Sequence, residues 1–374
     1  MDIPTDDLLF GQYFPRLGDS KRKLSDPSSS AKRLRPLVAM LEGKDCSVEF
    51  SILQSVSKVA FCDAEKFEHL SQKVFNEAEG VLVWDAIPLG KEQLKKFKAL
   101  KCIVKIGYGL QNVDLQVAGQ MGIAVCQITG IGIEEAADST LGLILDMFRK
   151  SKLVELNFSS KNLSWKITET TRKFGATIPR IRGKTLGIIG LGRVGRAVAM
   201  RAITFGFNVI FYDPNLEDGH DKVYGITRVN VLDELLAKSD CVTLHCGFNA
   251  SSKRIISKSA LEIMRPEAFL VNITDGRFID EVALSVALHS GRLGGAALDT
   301  YESNPACGPL TYAPNLMRGG RTAYFSKDSL FEFRQAAALE MKTFIEEGVT
   351  SQKLRHLKNR KYLSLAEAQN ISVD

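Results

Sequence analysis

The sequence predicts an α/β fold with two domains, each built on a parallel sheet. From Pro36 onward, short apolar runs alternate with helix-length amphipathic segments, a pattern typical of parallel strands joined by crossovers. The chain has 374 residues, more than the roughly 100 to 200 of one domain. Hydrophobic residues make up 45% of it and charged residues 25%, as in ordinary globular proteins.

The first predicted sheet takes its strands from apolar runs at 37–41, 59–61, 80–84, 102–107 and 123–126. A long helix follows, because Glu134 and Glu135 suit its first turn and Arg149 and Lys150 suit its end. A last helix near 331–347, ending at Gly348, is expected to return to the first sheet. We therefore predict a flavodoxin-like domain formed from two chain segments, 37–130 and 334–360.

The second predicted domain covers residues 131–333. Its strands are the runs at 185–190, 208–212, 241–245, 268–272 and 296–299, with helices between them. This spacing predicts a doubly wound, Rossmann-type sheet with a nearly complete six-stranded pattern.

Both ends of the chain lack this periodicity. Residues 1–36 have the composition of a disordered basic arm, and 361–374 are interpreted as a tail. Two basic clusters in the arm, separated by eight residues, have the layout of a two-part nuclear import signal, although a solvated basic tail has the same composition. Their members are Lys21, Arg22, Lys23, Lys32, Arg33 and Arg35. We expect a nuclear protein that also occurs in the cytoplasm.

Composition argues against several other classes of protein. The formal charge of +6 is small for this length, so we expect no direct nucleic-acid partner. No uncharged apolar stretch reaches the roughly 18 residues that span a bilayer, so we expect no membrane partner. The seven cysteines form no C-x-x-C pair and indicate buried thiols in a reducing compartment. We predict no metal site.

The most specific motif is G-x-G-x-x-G at Gly190, Gly192 and Gly195. The pattern is weak alone, but here it follows a buried strand and opens a helix, so backbone N–H groups can face a pyrophosphate. Arg193 and Val194 lie within the loop. A second strand ends at Asp213, where a carboxylate would bind the adenosine ribose and repel a 2′-phosphate. The loop predicts NAD, unless Asp213 is only a turn residue.

Several strings resemble the C-terminal-binding proteins, a family within the D-2-hydroxyacid dehydrogenase superfamily. They are RPLVAMLEG, SKVAFCDAE, FKALKCIVKIG, GKTLGIIGLGRVGRAVAMRA, FGFNVIFYDP, SDCVTLHCGFN and GAALDTYES. The resemblance covers roughly residues 35 to 360. It implies a nuclear co-repressor scaffold whose dimerisation is promoted by NAD(H). Such a scaffold recruits transcription factors and chromatin-modifying proteins through a Pro-x-Asp-Leu-Ser peptide.

The same resemblance identifies three positions of the family's catalytic apparatus. Glu302 matches the Glu that orients the catalytic His, whereas Asp275 replaces the substrate-binding Arg and Arg321 replaces the His. Losing a general acid/base costs roughly 10² to 10⁴ in rate, and a carboxylate at 275 would repel a 2-keto acid. We predict a pseudoenzyme with Arg321 within about 4 Å of Glu302 or Asp275. The alternatives are an active oxidoreductase on an unusual substrate, with Arg321 as electrophile, and a cofactor-free scaffold.

Further positions match the family's ligand-binding surfaces. Those that match cofactor contacts are Thr140, Cys246, Asn249 and Asp299, while Tyr108 stands where the family has a small hydroxyl in a G-S-G loop. Those that match the apolar peptide groove are Val59, Ala60 and Val74, which could instead be core residues. Arg149 and Lys150 match basic residues near the family's dimer interface, or are a charge pair at a helix end.

Overall fold

A computed structural model describes residues 35–43, 45–64, 66–159, 172, 175–249, 251–349 and 353–363. Most of the predicted basic arm at 1–36 and of the tail at 361–374 lies outside these residues. The import signal is therefore still a prediction. None of the described helices is long and apolar enough to cross a membrane.

The first sheet has five parallel strands. They are β1 Leu37–Met40, β2 Lys58–Phe61, β3 Ala78–Val83, β4 Cys102–Lys105 and β5 Ala124–Gln127. The order β2-β1-β3-β4-β5 is that of flavodoxin-like folds, as predicted. The helices between the strands are α1 Ser47–Leu53, α2 Gln72–Glu77, α3 Lys91–Leu94 and α4 Leu115–Gln120, with a short 3-10 turn at Phe67–His69.

The second sheet has seven parallel strands, whereas the sequence identified five runs of a six-stranded pattern. They are β6 Thr185–Ile189, β7 Asn208–Tyr212, β8 Thr227–Arg228, β9 Cys241–Leu244, β10 Phe269–Asn272, β11 Gly295–Leu298 and β12 Leu316–Arg318. Their order, β12-β11-β10-β9-β6-β7-β8, reverses at β6. That reversal creates the crevice where dinucleotides bind in doubly wound sheets.

Helices cover both faces of the second sheet and bury its apolar side chains. These helices are α5 Ile133–Arg149, α7 Arg193–Thr204, α8 His220–Tyr224, α9 Leu232–Lys238, α10 Lys258–Ile263 and α11 Glu281–His289. A further helix, α6 Ser151–Ser159, follows α5. Residues of α5 and α7 share one core cluster, and residues of α9, α10 and α11 share another. Short 3-10 turns lie at Gly175–Thr177 and Gly276–Phe278.

The last helix, α12 Lys327–Glu347, packs against the first sheet. It begins with a capping box, in which Ser326 and Ser329 exchange side-chain-to-backbone hydrogen bonds, and it ends at Gly348 as predicted. Phe333 and Met341 are completely buried with residues of β1, β3 and β4. Arg334 joins the helix to α1 through Glu49, at 2.6 Å.

A segment after α12 adds to the free edge of β5. Its backbone pairs with β5 in antiparallel fashion, with the Lys358 amide donating to the Val125 carbonyl at 2.8 Å. The buried side chain of Asn359 accepts from the Val125 amide at 2.9 Å and donates to the Ile123 carbonyl at 2.8 Å. This pairing was not predicted from the sequence.

Candidate functional site

The glycine loop between β6 and α7 has the geometry that the motif predicted. Gly190 has a φ of 92°, and a Cβ there would overlap the backbone of Cys246. A Cβ on Gly195 would overlap the carbonyl oxygen of Gly190. Two of the three glycines are therefore required by the packing of the loop itself.

Gly192 is required by neither backbone conformation nor packing. Its φ is −71°, and the nearest atom to an added Cβ is the carbonyl oxygen of His245, 3.9 Å away. It is the residue before the first turn of α7, where free N–H groups and the helix dipole favour an anion. The space in front of Gly192 fits the close approach of a pyrophosphate, as NAD would require.

Asp213 lies at the carboxyl end of β7 and faces the glycine loop. Its Oδ2 accepts from the Leu191 amide at 2.9 Å, and its Oδ1 accepts from the Asn215 amide at 3.0 Å. The carboxylate is thus held beside the glycine loop. Arg228, the nearby cation, donates instead to the backbone carbonyls of Asp213 and Leu216 and pairs with Asp218.

Four residues matched to cofactor contacts are held by local contacts of their own. Thr140 is completely buried and donates to the Ala136 carbonyl, so it presents no surface to a ligand here. Asn249 accepts from the amides of Ser251 and Ser252 and so closes its own turn. Asp299 is 4% exposed and accepts from backbone amides. Half-buried Cys246 lies against Gly190, and burial raises the pKa of its thiol to about 11.

Tyr108 packs where the two domains meet. Its hydroxyl donates to the Ile131 carbonyl, its ring centroid is 4.1 Å from that of Tyr324, and burial raises its pKa to about 12. The side chain is therefore held by protein groups. The guanidinium of Arg193 lies close to Gly130, since a Cβ on Gly130 would overlap it.

Asp275 and Arg277 form a closed ion pair after β10. Asp275 accepts from the Nε of Arg277 at 2.9 Å and from its Nη2 at 2.6 Å. Burial would raise the pKa of Asp275, but the hydrogen bonds and charge of Arg277 outweigh this and hold it below its usual range. The repulsion of a 2-keto acid predicted from the sequence is therefore an overestimate, because that prediction assumed that no cation lies beside Asp275.

Glu302 lies beside this pair, at the carboxyl end of β11. Gly276 is in such close contact with Tyr301 and Glu302 that a Cβ on Gly276 would overlap their backbone atoms. The carboxylate of Glu302 is 3.9 Å from Arg254, an exposed residue with a φ of 52°. The structure thus brings the Asp275 and Glu302 positions together, as the resemblance implied.

The ion pair predicted for Arg321 is wrong. Arg321 is exposed and forms no ion pair with Glu302, Asp275 or any other described residue, although its charge contributes weakly to the lowered pKa of Asp275. The carboxylates meet other arginines, Arg277 and Arg254. Neither arginine was predicted from the sequence, although an Arg two residues after an Asp in a Gly turn is a visible signal for Arg277.

None of the five histidines of the chain lines the pocket formed by residues 301–305 and 319–321. His245, at the end of β9, is buried, and its Nε2 is 3.0 Å from the Thr243 hydroxyl. Burial lowers its pKa to about 3, so the ring is neutral near pH 7. It is a core histidine.

The residues proposed for a peptide groove lie on two faces of the first sheet. Ala60 on β2 and Val74 on α2 pack against one core cluster, whereas Val59 packs against the cluster on the opposite face. Neighbouring residues of a strand point to opposite faces, so Val59 cannot share a groove face with the other two. Val74 is 4% exposed, so it packs beneath the surface near Ala60 and offers little area to a peptide itself.

Arg149 and Lys150 end α5, as predicted. Lys150 has a left-handed φ of 53°, and its amide donates to the Asp146 carbonyl. A charge pair at the helix end therefore explains the residues without a partner chain, and their place in a dimer interface is still a prediction.

The second sheet reverses its strand order at β6, the space in front of Gly192 is open, and the Asp213 carboxylate lies beside it. These three features define a class: a two-domain α/β protein with a dinucleotide site. Residues 141–319 match the family model described as "D-isomer specific 2-hydroxyacid dehydrogenase, NAD binding domain". The chain belongs to the D-isomer specific 2-hydroxyacid dehydrogenase superfamily, and its cofactor is NAD.

The chain is 40% identical over 348 residues to C-terminal-binding protein 1 of Caenorhabditis elegans, a match covering 92% of this chain and 47% of that protein. It is 33% identical over 254 residues to D-3-phosphoglycerate dehydrogenase of Methanocaldococcus jannaschii, covering 68% of this chain and 47% of that protein. The chain thus spans about half the length of these relatives. The predicted resemblance to C-terminal-binding proteins is confirmed.

Solved structures confirm the fold class. D-lactate dehydrogenase from Aquifex aeolicus, solved with NAD and lactic acid, superposes with a TM-score of 0.72 at 23% identity. The match covers 85% of this chain and 97% of that one. At this identity the likeness shows the fold alone.

Proposed function

We propose that this protein is an NAD(H)-binding co-repressor scaffold that has lost dehydrogenase turnover. The observation that carries the proposal is the contrast between its two sites. The glycine loop leaves open space in front of Gly192, and the Asp213 carboxylate lies beside that space. The neighbouring pocket has Arg321 where the family has its histidine, and no histidine lines it.

An arginine cannot act as the missing base. Its pKa lies far above neutral pH, so the guanidinium stays protonated and accepts no proton. The buried His245, with a pKa of about 3, belongs to the core behind the loop. The NAD would supply hydride chemistry in an active relative, whereas the residues here bind and orient the cofactor without a group that exchanges the substrate proton.

The recruiting surface is the outer edge of β2. Among the described residues, β2 pairs only with β1, so its outer backbone groups are available to an added strand. Ala60 and the supporting Val74 lie on the side of the strand that faces one core cluster, and exposed Phe61 follows in the same strand. We propose that an extended Pro-x-Asp-Leu-Ser peptide, as found in transcription factors and chromatin-modifying proteins, adds here by β-augmentation.

Two further features complete the proposal. Dimerisation would involve the end of α5 near Arg149 and Lys150, and residence in the nucleus would depend on the basic clusters between Lys21 and Arg35. Both come from the resemblance to C-terminal-binding proteins and from the charge pattern of the arm.

The substitution Ala60→Glu tests the recruiting function. A carboxylate at this half-buried position would have to be desolvated against apolar side chains when a peptide binds. We expect at least a ~10-fold loss of affinity for a Pro-x-Asp-Leu-Ser peptide, measured by fluorescence anisotropy. NADH binding should be unchanged, since its site lies on the other sheet.

Met121→Glu is the matched control, because Met121 is an exposed apolar residue after α4, beyond the opposite edge of the sheet. It should leave peptide affinity unchanged. Equal peptide binding by Ala60→Glu and the unsubstituted protein would contradict the groove.

A further inference from the structure

Exposed basic residues are concentrated in the segment that follows α12. Five of the nine residues from Lys353 to Lys361 are lysine or arginine, and the sequence holds no Asp or Glu between Glu347 and Glu367. The total charge of +6 gives no sign of this concentration, because it sums over the whole chain. We call the five exposed cations the basic segment. They are Lys353, Arg355, Lys358, Arg360 and Lys361.

Buried neighbours fix the basic segment to the first domain. Leu354 is buried in the core cluster that contains residues of the first sheet and α12. Asn359 is completely buried, accepts from the Val125 amide and donates to the Ile123 carbonyl. Tyr362 lies so close to α4 that a Cβ on Gly119 would overlap its own Cβ. The cations are therefore presented from a held backbone, so a ligand has to order only their side chains.

Three of the five cations have no acidic partner in the described part of the chain. Lys353 pairs with Glu347 at 2.5 Å. Arg355, Lys358 and Arg360 form no ion pair with any described residue. The adjoining helix α4 has the sequence LQVAGQ, which contains no charged side chain. This edge of the first sheet therefore presents a concentrated positive charge.

The surroundings of the basic segment distinguish among anionic partners. An acidic peptide that adds as a strand needs a free edge, whereas this segment itself pairs with β5. Membrane binding needs apolar side chains beside the cations, and none of the exposed large hydrophobic residues lies within 353–363. Unpaired bases stack on exposed aromatic rings, but Tyr362 is half-buried with the Nζ of Lys361 4.6 Å from its ring centroid. Cations without these groups match a phosphate backbone, which is contacted by charge alone.

We propose that the basic segment binds the phosphate backbone of duplex DNA without reading its sequence. Duplex DNA carries one negative charge per about 1.7 Å of its axis, so cations held along one edge release counterions when they meet it. The inference goes beyond the proposed function, because a co-repressor brought to chromatin by its partners then also contacts DNA itself. It revises the expectation of no direct nucleic-acid partner, which rested on the total charge.

Fluorescence anisotropy with two short labelled duplexes of unrelated sequence tests the proposal. Titrations between about 50 and 200 mM salt give the slope of log K against log[salt], which is about −0.9 for each phosphate contact. We expect both duplexes to bind equally. The triple substitution Arg355→Ala/Lys358→Ala/Arg360→Ala should make the slope less negative by about 2 to 3 and weaken binding at least ~10-fold.

The matched control is Lys91→Ala/Lys222→Ala/Lys327→Ala, which removes the same charge from exposed lysines on α3, α8 and α12. It should leave the salt slope unchanged. Both triple variants keep the basic clusters between Lys21 and Arg35, so the difference between the variants reports the basic segment alone.

NADH and peptide affinities are measured on every variant of the full chain. They should be unchanged, because the glycine loop and the outer edge of β2 lie elsewhere, and this separates failure of the DNA proposal from failure of the proposed function. Equal salt slopes for the two triple variants would overturn the DNA proposal. Tighter binding of polyglutamate or of phosphatidylserine vesicles than of either duplex, with the same loss in the Arg355→Ala/Lys358→Ala/Arg360→Ala variant, would also overturn it.

Discussion

The arginines around Asp275 and Glu302 differ in what they contact. Arg277 is fixed by two hydrogen bonds to Asp275 and by the ring of Phe248, whereas Arg321 is fixed only through its backbone. The guanidinium of Arg277 is thus held in one place by its carboxylate partner, whereas the side chain of Arg321 forms no ion pair in the described part of the chain.

The sequence could identify these positions but not their pairing. Asp275, Glu302 and Arg321 follow from motif matching, and the structure brings the first two together. Arg277, the partner of Asp275, also packs on the Phe248 ring, whereas Arg321 has a left-handed backbone. Both are tertiary features that motif spacing does not contain.

His245 should make the stability of the protein depend on pH. Burial lowers its pKa to about 3 in the fold, against about 6.5 in an unfolded chain. Below pH 6.5 the unfolded state therefore takes up a proton that the folded state does not, so stability is lost as the pH falls. From pH 7 to pH 5 this group should remove about 2 kcal/mol from the free energy of unfolding.

Urea unfolding at pH 7, 6 and 5 measures this effect. His245→Gln should reduce the loss between pH 7 and 5 by about 2 kcal/mol, whereas His69→Gln, at an exposed histidine, should not change it. An identical pH dependence in the unsubstituted protein and His245→Gln would show that the histidine is not buried in its neutral form.

Within the strand–loop–helix element of β6 and α7, the glycines have separate roles. Gly192→Ala places a methyl group in open space, so stability should change by less than about 0.5 kcal/mol. The same methyl group would fill the space in front of α7 where the pyrophosphate would lie. NADH affinity, measured by calorimetry, should therefore fall at least ~10-fold.

Gly195→Ala is the comparison within the same loop. Its Cβ would overlap the Gly190 carbonyl oxygen, so we expect a loss of about 1 to 3 kcal/mol in thermal or urea unfolding. If Gly192→Ala kept its stability and bound NADH as tightly as the unsubstituted protein, the space in front of Gly192 would not be the pyrophosphate site.

The elements that the sequence predicted are those with a long apolar pattern. The ten predicted strands occur, as do the long helix after β5 and the last helix, which was predicted near 331–347 and spans Lys327–Glu347. β8 and β12 contain two and three residues, too few to show a periodicity. The segment at 353–363 pairs with β5 across more than 200 residues of sequence, and its anchor, Asn359, is a polar residue that no hydrophobic pattern would place in the core.

In the molecule as a whole, the aromatic pair Tyr108–Tyr324 and the hydrogen bond from Ser326 to Glu135 connect residues of the two domains. The nucleotide loop and the pocket at Arg321 belong to the second sheet, and the open edge of β2 belongs to the first. The glycine loop and the edge proposed for peptide binding are thus different surfaces of one molecule.

The central claim is that the protein binds NADH and does not oxidise it. The most direct measurement loads the protein with a stoichiometric amount of NADH, confirms binding by calorimetry, adds pyruvate or another 2-keto acid, and follows the absorbance of the bound NADH. We predict a bound cofactor whose oxidation is at least ~100-fold slower than the turnover of ordinary dehydrogenases, because no histidine lines the pocket formed by residues 301–305 and 319–321. Oxidation at roughly 1 to 10³ per second, or no binding of NADH at high micromolar concentration, would contradict the account.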